Sequence, residues 1–182
     1  MNNDIEEILF SAQEISDRVD VLGKAITEDY RSLVDERGVV LVCILRGSLI
    51  FTADLARAID LPVTLDFIAV SSYGDGVKSS GTVNMVKGLD TDIEGRHVIL
   101  VEDILDTGLT LSRLIGLLQE KHPASLEVAT LLRKDTPDQA DIPCKYIGFE
   151  CPDRFIVGYG LDYAQRYRNL PYVGVLNPSI YQ

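Results

Sequence analysis

The segment VILVEDILDTGLTL, residues 98–111, decides the fold class of this 182-residue chain. It begins with four consecutive apolar residues, which suit a central strand covered on both faces of a parallel α/β sheet. Glu102 and Asp103 follow this strand, so they fall at the carboxyl edge of the sheet. Because ligands bind at that edge in open α/β sheets, the segment predicts a binding site there.

A tight turn follows the two acids and leads into an amphipathic helix. The members of the turn are Asp106, Thr107, Gly108, Leu109 and Thr110. Because a helix begins in the turn, its unpaired N–H groups and the positive end of its dipole converge there, and the glycine lets the backbone approach a ligand closely. The turn therefore predicts a nest for a phosphate monoester. The alternative is that Asp106 or Thr107 only caps the helix.

The acid pair indicates what else the ligand carries. Glu102 and Asp103 would repel a phosphate, so they favour a group that needs acceptors, either vicinal ribose hydroxyls or a hydrated divalent cation. A ribose with a 5′-phosphate satisfies both halves of the segment. The segment lacks the glycine-lysine-serine/threonine ending of a P-loop and the G-x-G-x-x-G of a dinucleotide fold. It resembles the signature of the type I phosphoribosyltransferases.

Length and composition predict a single domain over residues 1–182. The chain is 46% hydrophobic, which is enough for one core. Its longest apolar stretches have the length of strands, and the acidic start MNNDIEE does not have the pattern of a signal peptide. The three cysteines show no metal spacing, and their odd number argues against a disulfide framework. We therefore expect a cytoplasmic protein that carries no targeting signal.

The charge balance restricts the partners of the protein. The formal net charge is -11, from 28 acidic and 17 basic residues, and it opposes binding to nucleic acid or to an anionic membrane. A negative protein that handles a polyanion needs local arginine and lysine side chains together with a divalent cation. Magnesium is therefore the expected cofactor.

Hydrophobic periodicity predicts alternating strands and helices, without an internal repeat. We expect helices over residues 5–29, over residues 48–59 and from the turn to about residue 121, and strands over residues 39–45, 63–71, 82–87, 98–101 and 126–132. The region after residue 145 is rich in strand and loop residues. It predicts a small hood over the sheet edge, formed by residues 150–182.

Two further stretches resemble the pyrophosphate site of the same family. In ILRGS, residues 44–48, Arg46 and Gly47 match the pyrophosphate loop, and the resemblance implies a cis peptide bond around residues 45–47. The glycine-rich SSYGDGVKSSG resembles a flexible lid over residues 71–84, whose Ser72 and Tyr73 would close over the pyrophosphate and exclude water. The alternatives are an ordinary turn between strand and helix and an exposed hairpin loop.

Two stretches resemble the family's purine site. Lys134 in LLRKDTP matches the lysine that recognises the base, and a donor-only ammonium would select a 6-oxopurine over adenine. In PDRFIVGYGLDYAQRYRN, Phe155 would stack on the purine, and the backbone at Ile156 would read its edge. Asp162 would bind a second magnesium ion beside the purine, and Arg168 would clamp the pyrophosphate. The alternatives are a solvated lysine and a core phenylalanine.

Together these stretches resemble the hypoxanthine-guanine phosphoribosyltransferases over about residues 44–175. The resemblance implies an α/β, mainly parallel sheet flanked by helices, with a hood and a lid, in a homodimer or homotetramer. It also implies magnesium-dependent transfer of the 5-phosphoribosyl group from phosphoribosyl pyrophosphate to hypoxanthine or guanine, which gives IMP or GMP and pyrophosphate. Asp106 would be the general base near purine N7, and Glu102 and Asp103 would hold the ribose hydroxyls, directly or through magnesium. Arg46 departs from the family, because many members have lysine there.

Three other functions are compatible with parts of the pattern. A relative that uses xanthine would need only a small change near Ile156 or Asp162. A phosphoribosyltransferase-fold regulator would bind RNA, which requires a basic face that the net charge disfavours. An inactive binding module is the third, although Asp106 and Lys134 are both present.

Overall fold

The computed structural model describes residues 2–72, 83–136 and 140–181, and most of these residues form one sheet flanked by helices. The strands in chain order are β1 (Ile5–Phe10), β2 (Val39–Leu45), β3 (Val63–Ser72), β4 (Val83–Lys87), β5 (His97–Leu105), β6 (Ser125–Lys134), β7 (Tyr146–Cys151), β8 (Ile156–Val157) and β9 (Val173–Leu176). The helices are α1 (Ala12–Tyr30), α2 (Leu49–Ala58) and α3 (Leu109–Gln119). A short 3₁₀ turn spans Pro178–Ile180.

The central sheet has the strand order β4-β3-β2-β5-β6-β7. Its strands run parallel, except that the edge strand β4 runs antiparallel to β3. Both faces of β5 are covered by helices, which explains its uniformly apolar sequence. Val98 and Leu100 pack with α3, whereas Ile99 and Val101 pack with α1 and α2 on the opposite face. All four side chains are fully buried, as the sequence predicts for a central strand.

The strand order reverses its direction between β2 and β5. From β2 the chain passes through α2 to β3 on one side, and from β5 it passes through α3 to β6 on the other. This reversal leaves a crevice at the carboxyl ends of β2 and β5, where α/β sheets bind their ligands. Arg46 follows β2, Asp106 follows β5, and Lys134 ends β6. The fold therefore brings together residues that lie far apart in the sequence.

A second, antiparallel sheet has the order β1-β9-β8. We call this sheet, with the segment 152–181, the hood. The prediction of one helix over residues 5–29 was wrong, because β1 pairs with β9 and α1 begins only at Ala12. A capping box begins α1: the Ser11 side chain accepts from the Glu14 N–H, and the Glu14 carboxylate accepts from the Ser11 N–H. The predicted hood also changes at its start, since β7 belongs to the central sheet.

Most other predicted elements are confirmed with small shifts at their ends. The segment 83–87 forms the antiparallel hairpin partner of β3, and β5 extends four residues beyond its predicted end. Residues 73–82, most of the predicted lid, lie outside the described residues, so the lid stays a prediction. In the described part of the chain, no helix is long and apolar enough to cross a membrane.

Candidate active site

The turn before α3, the predicted phosphate nest, has a left-handed glycine at its centre. Gly108 has φ +75, and a Cβ at this position would lie 2.6 Å from the Ile142 side chain. The N-cap residue of α3 is Gly108, which makes no side-chain capping hydrogen bond, and the first-turn N–H groups lack helical acceptors. The Ala140 N–H donates to the Thr107 carbonyl at 2.9 Å and fixes the loop. A cleft of about 250 Å³ is lined by Glu102, Asp106, Thr107, Gly108, Leu109 and Thr110, among others.

Glu102 and Asp103 lie at the end of β5 and face the crevice. The Asp103 N–H donates to Glu102 Oε1 at 3.2 Å, and the Ile104 N–H donates to Asp103 Oδ1 at 2.9 Å. Burial, together with the neighbouring Asp103 charge, raises the pKa of Glu102 well above its usual range. Hydroxyl donors or a cation would offset this repulsion, so the donor chemistry of the pair fits magnesium.

These two acids alone do not form a complete metal shell. In the ranges that the structure describes, no group of three or more metal-ligating side chains occurs. Magnesium commonly binds through one or two carboxylates and fills its shell with water and substrate oxygens. The pair therefore suits an ion that arrives with a phosphorylated substrate.

The ILRGS loop packs tightly against its surroundings. The Leu45–Arg46 peptide bond is cis, as the resemblance implied. Ser48 does not cap α2 with its side chain, because its hydroxyl donates to the Ile44 carbonyl at 2.6 Å. A Cβ on Gly47 would overlap the Asp103 carboxylate. A side chain at position 47 would therefore displace the Asp103 carboxylate.

A second cleft, of about 260 Å³, lies between β5, β6 and the hood. Its lining residues are Asp103, Ile104, Asp106, Lys134, Arg154, Phe155, Ile156, Leu161 and Asp162. Asp106 lines this cleft as well as the cleft at the phosphate nest. The two clefts therefore meet at one carboxylate.

Lys134 is held inside the second cleft rather than in solvent. Its side chain is only 12% exposed, and its Nζ lies 3.0 Å from Asp153 Oδ1 and 3.5 Å from Asp106 Oδ2. Burial lowers the pKa of Lys134, but the hydrogen bond to Asp153 and the charge of Asp106 outweigh this effect, so the pKa is raised. The lysine therefore stays a charged donor. The Asp106 side chain is 50% exposed.

Phe155 lies at the mouth of the same cleft and is not a core residue. It is 37% exposed, and Ile156 follows it in β8. The Tyr181 ring stacks on Phe155 with centroids 4.8 Å apart, and Tyr163 meets it edge-on at 5.5 Å. Two tyrosines therefore fix the orientation of this ring.

Asp162 and Arg168 form an ion pair in the hood. Asp162 Oδ1 lies 2.7 Å from Arg168 Nη2, and Arg168 Nη1 donates to the Gly160 carbonyl at 2.8 Å. A metal at Asp162 would therefore compete with an arginine. The side chain of Ser72 and all of Tyr73 lie outside the described residues, so their predicted roles stay predictions.

Three residues near these clefts were not identified from the sequence. Asp153 pairs with Lys134, Tyr181 stacks on Phe155, and Gln165 contacts two arginines. Asp153 could have been found, because it lies two residues before Phe155 in the motif used for the purine site. Gln165 lies in the same motif, three residues before Arg168, whereas no local pattern marks Tyr181.

Comparison with known proteins identifies the family. Residues 11–164 match the model of the phosphoribosyl transferase domain. The hypoxanthine-guanine phosphoribosyltransferase of Bacillus subtilis is 47% identical over 100% of this chain and 99% of that protein, and that of Mycobacterium avium is 49% identical over 98% and 89%.

The fold is similar to that of solved structures over nearly the whole chain. The crystal structure of a Staphylococcus aureus hypoxanthine phosphoribosyltransferase has a TM-score of 0.93 and 44% identity, and the match covers 100% of this chain and 97% of that chain. A Trypanosoma cruzi variant in a ternary complex with its substrates has a TM-score of 0.93 and 41% identity, covering 99% and 100%. The chain therefore belongs to the hypoxanthine-guanine phosphoribosyltransferases, within the phosphoribosyl transferase domain family.

Proposed function

We propose that the protein transfers the 5-phosphoribosyl group from phosphoribosyl pyrophosphate to hypoxanthine or guanine and so salvages purines. The observation that carries this proposal is the shared position of Asp106. One cleft offers a phosphate nest and the other a purine-sized slot, and both are lined by this carboxylate. A reaction that joins a phosphorylated sugar to a flat base needs this geometry.

The sugar side of the site binds and orients the phosphoribosyl group. The amides of residues 106–110 and the hydroxyls of Thr107 and Thr110 receive the 5′-phosphate, helped by the positive end of the α3 dipole. Glu102 and Asp103 accept from the ribose hydroxyls and would hold magnesium, with Asp162 as the candidate for a second ion. Magnesium, when bound, would neutralise charge that develops on the leaving pyrophosphate.

The base side of the site selects and positions the purine. Lys134 donates a hydrogen bond to the 6-oxo group of the purine. The 6-amino group of adenine cannot accept this hydrogen bond. Phe155 stacks on the ring system and the backbone at Ile156 contacts its edge. Asp106 lies 3.5 Å from the Lys134 ammonium, so the group that recognises the base also lies beside the proposed general base. Asp106 takes or holds the N7 proton while the purine attacks the anomeric carbon.

The pyrophosphate side of the site comprises Arg46, Gly47 and Arg168, with Ser72 and Tyr73 as the predicted lid residues. A closed lid would exclude water from an electron-poor anomeric carbon. We infer that the enzyme works in the cytoplasm as a homodimer or homotetramer, which the family resemblance supports.

A steady-state assay tests the proposal. Nucleotide formation would be measured with magnesium and phosphoribosyl pyrophosphate, using hypoxanthine, guanine, xanthine and adenine in separate reactions. We expect turnover of hypoxanthine and guanine and none of adenine. Efficient use of xanthine would reassign the base specificity, and the absence of turnover with every base would contradict the proposal.

A further inference from the structure

Gln165 joins two cationic side chains that come from different parts of the fold. Arg46 Nη1, from the loop after β2, donates to Gln165 Oε1 at 3.2 Å. Arg168 Nη2, from the hood, donates to the same oxygen at 3.2 Å. One neutral oxygen therefore accepts from both guanidinium groups, which would otherwise repel each other across the pyrophosphate corner.

A backbone turn places the exposed Gln165 in this position. Gln165 has φ +64, and its neighbour Ala164 has φ +49, so the chain makes a left-handed turn that L-residues rarely adopt. The Gln165 N–H donates to Asp162 Oδ2 at 2.8 Å, and the other oxygen of this carboxylate pairs with Arg168. The turn thus fixes Gln165 and Arg168 together, while Arg46 approaches from the central sheet.

The neutrality of the Gln165 side chain determines the charge of this corner. Within this cluster of Arg46, Arg168 and Asp162, two guanidinium charges and one carboxylate charge leave one net positive charge for an anionic ligand. A glutamate at position 165 would accept the same hydrogen bonds more strongly, because it would be charged. It would also cancel the remaining positive charge. A neutral amide therefore accepts hydrogen bonds from both arginines and leaves the net positive charge available to an anionic ligand.

We propose that Gln165 is a positioning residue for the pyrophosphate group: its carboxamide oxygen holds Arg46 and Arg168 side by side and leaves their charge to the substrate. This inference rests on the proposed function, because it takes the corner between these arginines as the pyrophosphate site. It also gives a structural reason why Arg46 suits this loop, since a guanidinium can donate to Gln165 and still present N–H groups to a phosphate.

The test compares Gln165→Glu with the matched control Gln119→Glu, an exposed residue at the far end of α3. The Gln165→Glu variant should raise the KM for phosphoribosyl pyrophosphate about fivefold, while the KM for hypoxanthine and the thermal midpoint change little. Gln119→Glu adds the same charge and should leave both KM values unchanged. A merely structural role predicts that the KM for phosphoribosyl pyrophosphate does not rise in Gln165→Glu, because glutamate would strengthen the two hydrogen bonds.

A second variant and a binding measurement complete the test. Gln165→Met keeps the length of the side chain and removes the oxygen, so its effect on the KM should shrink when Arg46→Met is already present. Calorimetric titration with magnesium pyrophosphate measures binding without turnover. It should show weaker binding to Gln165→Glu than to the wild-type protein and to Gln119→Glu. An unchanged affinity in Gln165→Glu would overturn the proposal. Inactivity of the wild-type protein with every purine would instead contradict the proposed function. The titration would still test whether Gln165 positions the two arginines for pyrophosphate.

Discussion

Replacing Gly160 by alanine should damage the proposed pyrophosphate site by displacing its backbone. Gly160 has φ +106, and a Cβ built on it would lie 2.1 Å from the carbonyl oxygen of Gly47. Since real Cβ contacts essentially never fall under 3.0 Å, the two loops must separate by at least 0.9 Å. A misplacement of about 1 Å can cost roughly 10²-fold in rate. We expect a loss of about this size in kcat/KM for phosphoribosyl pyrophosphate.

Gly158 provides a matched control for this substitution. Its φ is +101, and its Cβ would also lie 2.1 Å from a carbonyl oxygen, but that oxygen belongs to Tyr172 in the hood. Both variants should therefore lose stability in urea denaturation, by about 2 kcal/mol or more, because each combines a left-handed residue with a backbone clash. Only Gly160→Ala should lower kcat/KM for phosphoribosyl pyrophosphate by about 10²-fold. Equal kcat/KM values in the two variants would refute the argument that this glycine sets the position of Gly47.

Three further predictions follow from side chains. Asp106→Ala should lower kcat by about 10² to 10⁴ in steady-state assays while the affinity for phosphoribosyl pyrophosphate, measured by calorimetry, stays nearly constant; wild-type turnover would contradict the base assignment. Lys134→Gln should reduce the preference for hypoxanthine over adenine, because an amide offers an acceptor as well as donors; an unchanged ratio would argue against its role. Hydrogen bonds from Tyr146 and Lys145 lower the pKa of Asp29 in the folded protein. They therefore stabilise the fold at pH values above the usual aspartate pKa, and this stabilisation is lost as the pH falls through the lowered pKa. Asp29→Asn should flatten this acid dependence in thermal denaturation, and an identical profile would contradict it.

The central sheet and the turn that begins α3 were predictable because their determinants are local. The apolar start of β5, the two acids and the turn at Gly108 lie within fourteen residues, and their order alone implies strand, sheet edge and helix start. The approach of Arg46 to this edge also followed from the sequence, since residues after neighbouring parallel strands meet at one end of a sheet.

The errors concern contacts between distant parts of the chain. Ile5 and Ile8 are spaced as on one face of a helix, and only the pairing of β1 with β9 makes this segment a strand. Nothing near Lys134 in the sequence shows that Asp153 will neutralise part of its charge. Tyr181 likewise reaches Phe155 only because the hood folds back over the site. Local periodicity carries no information about such partners.

The pairing of β1 with β9 has a consequence for the order in which the protein is built during translation. Residues 39–151 contain all six strands of the central sheet, so this sheet can form before β9 leaves the ribosome. β1 precedes these strands in the chain and must wait for β9, which follows them, with its unpaired N–H and C=O groups exposed meanwhile. Phe155 also waits for its stacking partner Tyr181, which is synthesised after the whole of the central sheet. The central sheet can therefore form first, and the pairing of β1 with β9 and the stacking on Phe155 can form only afterwards.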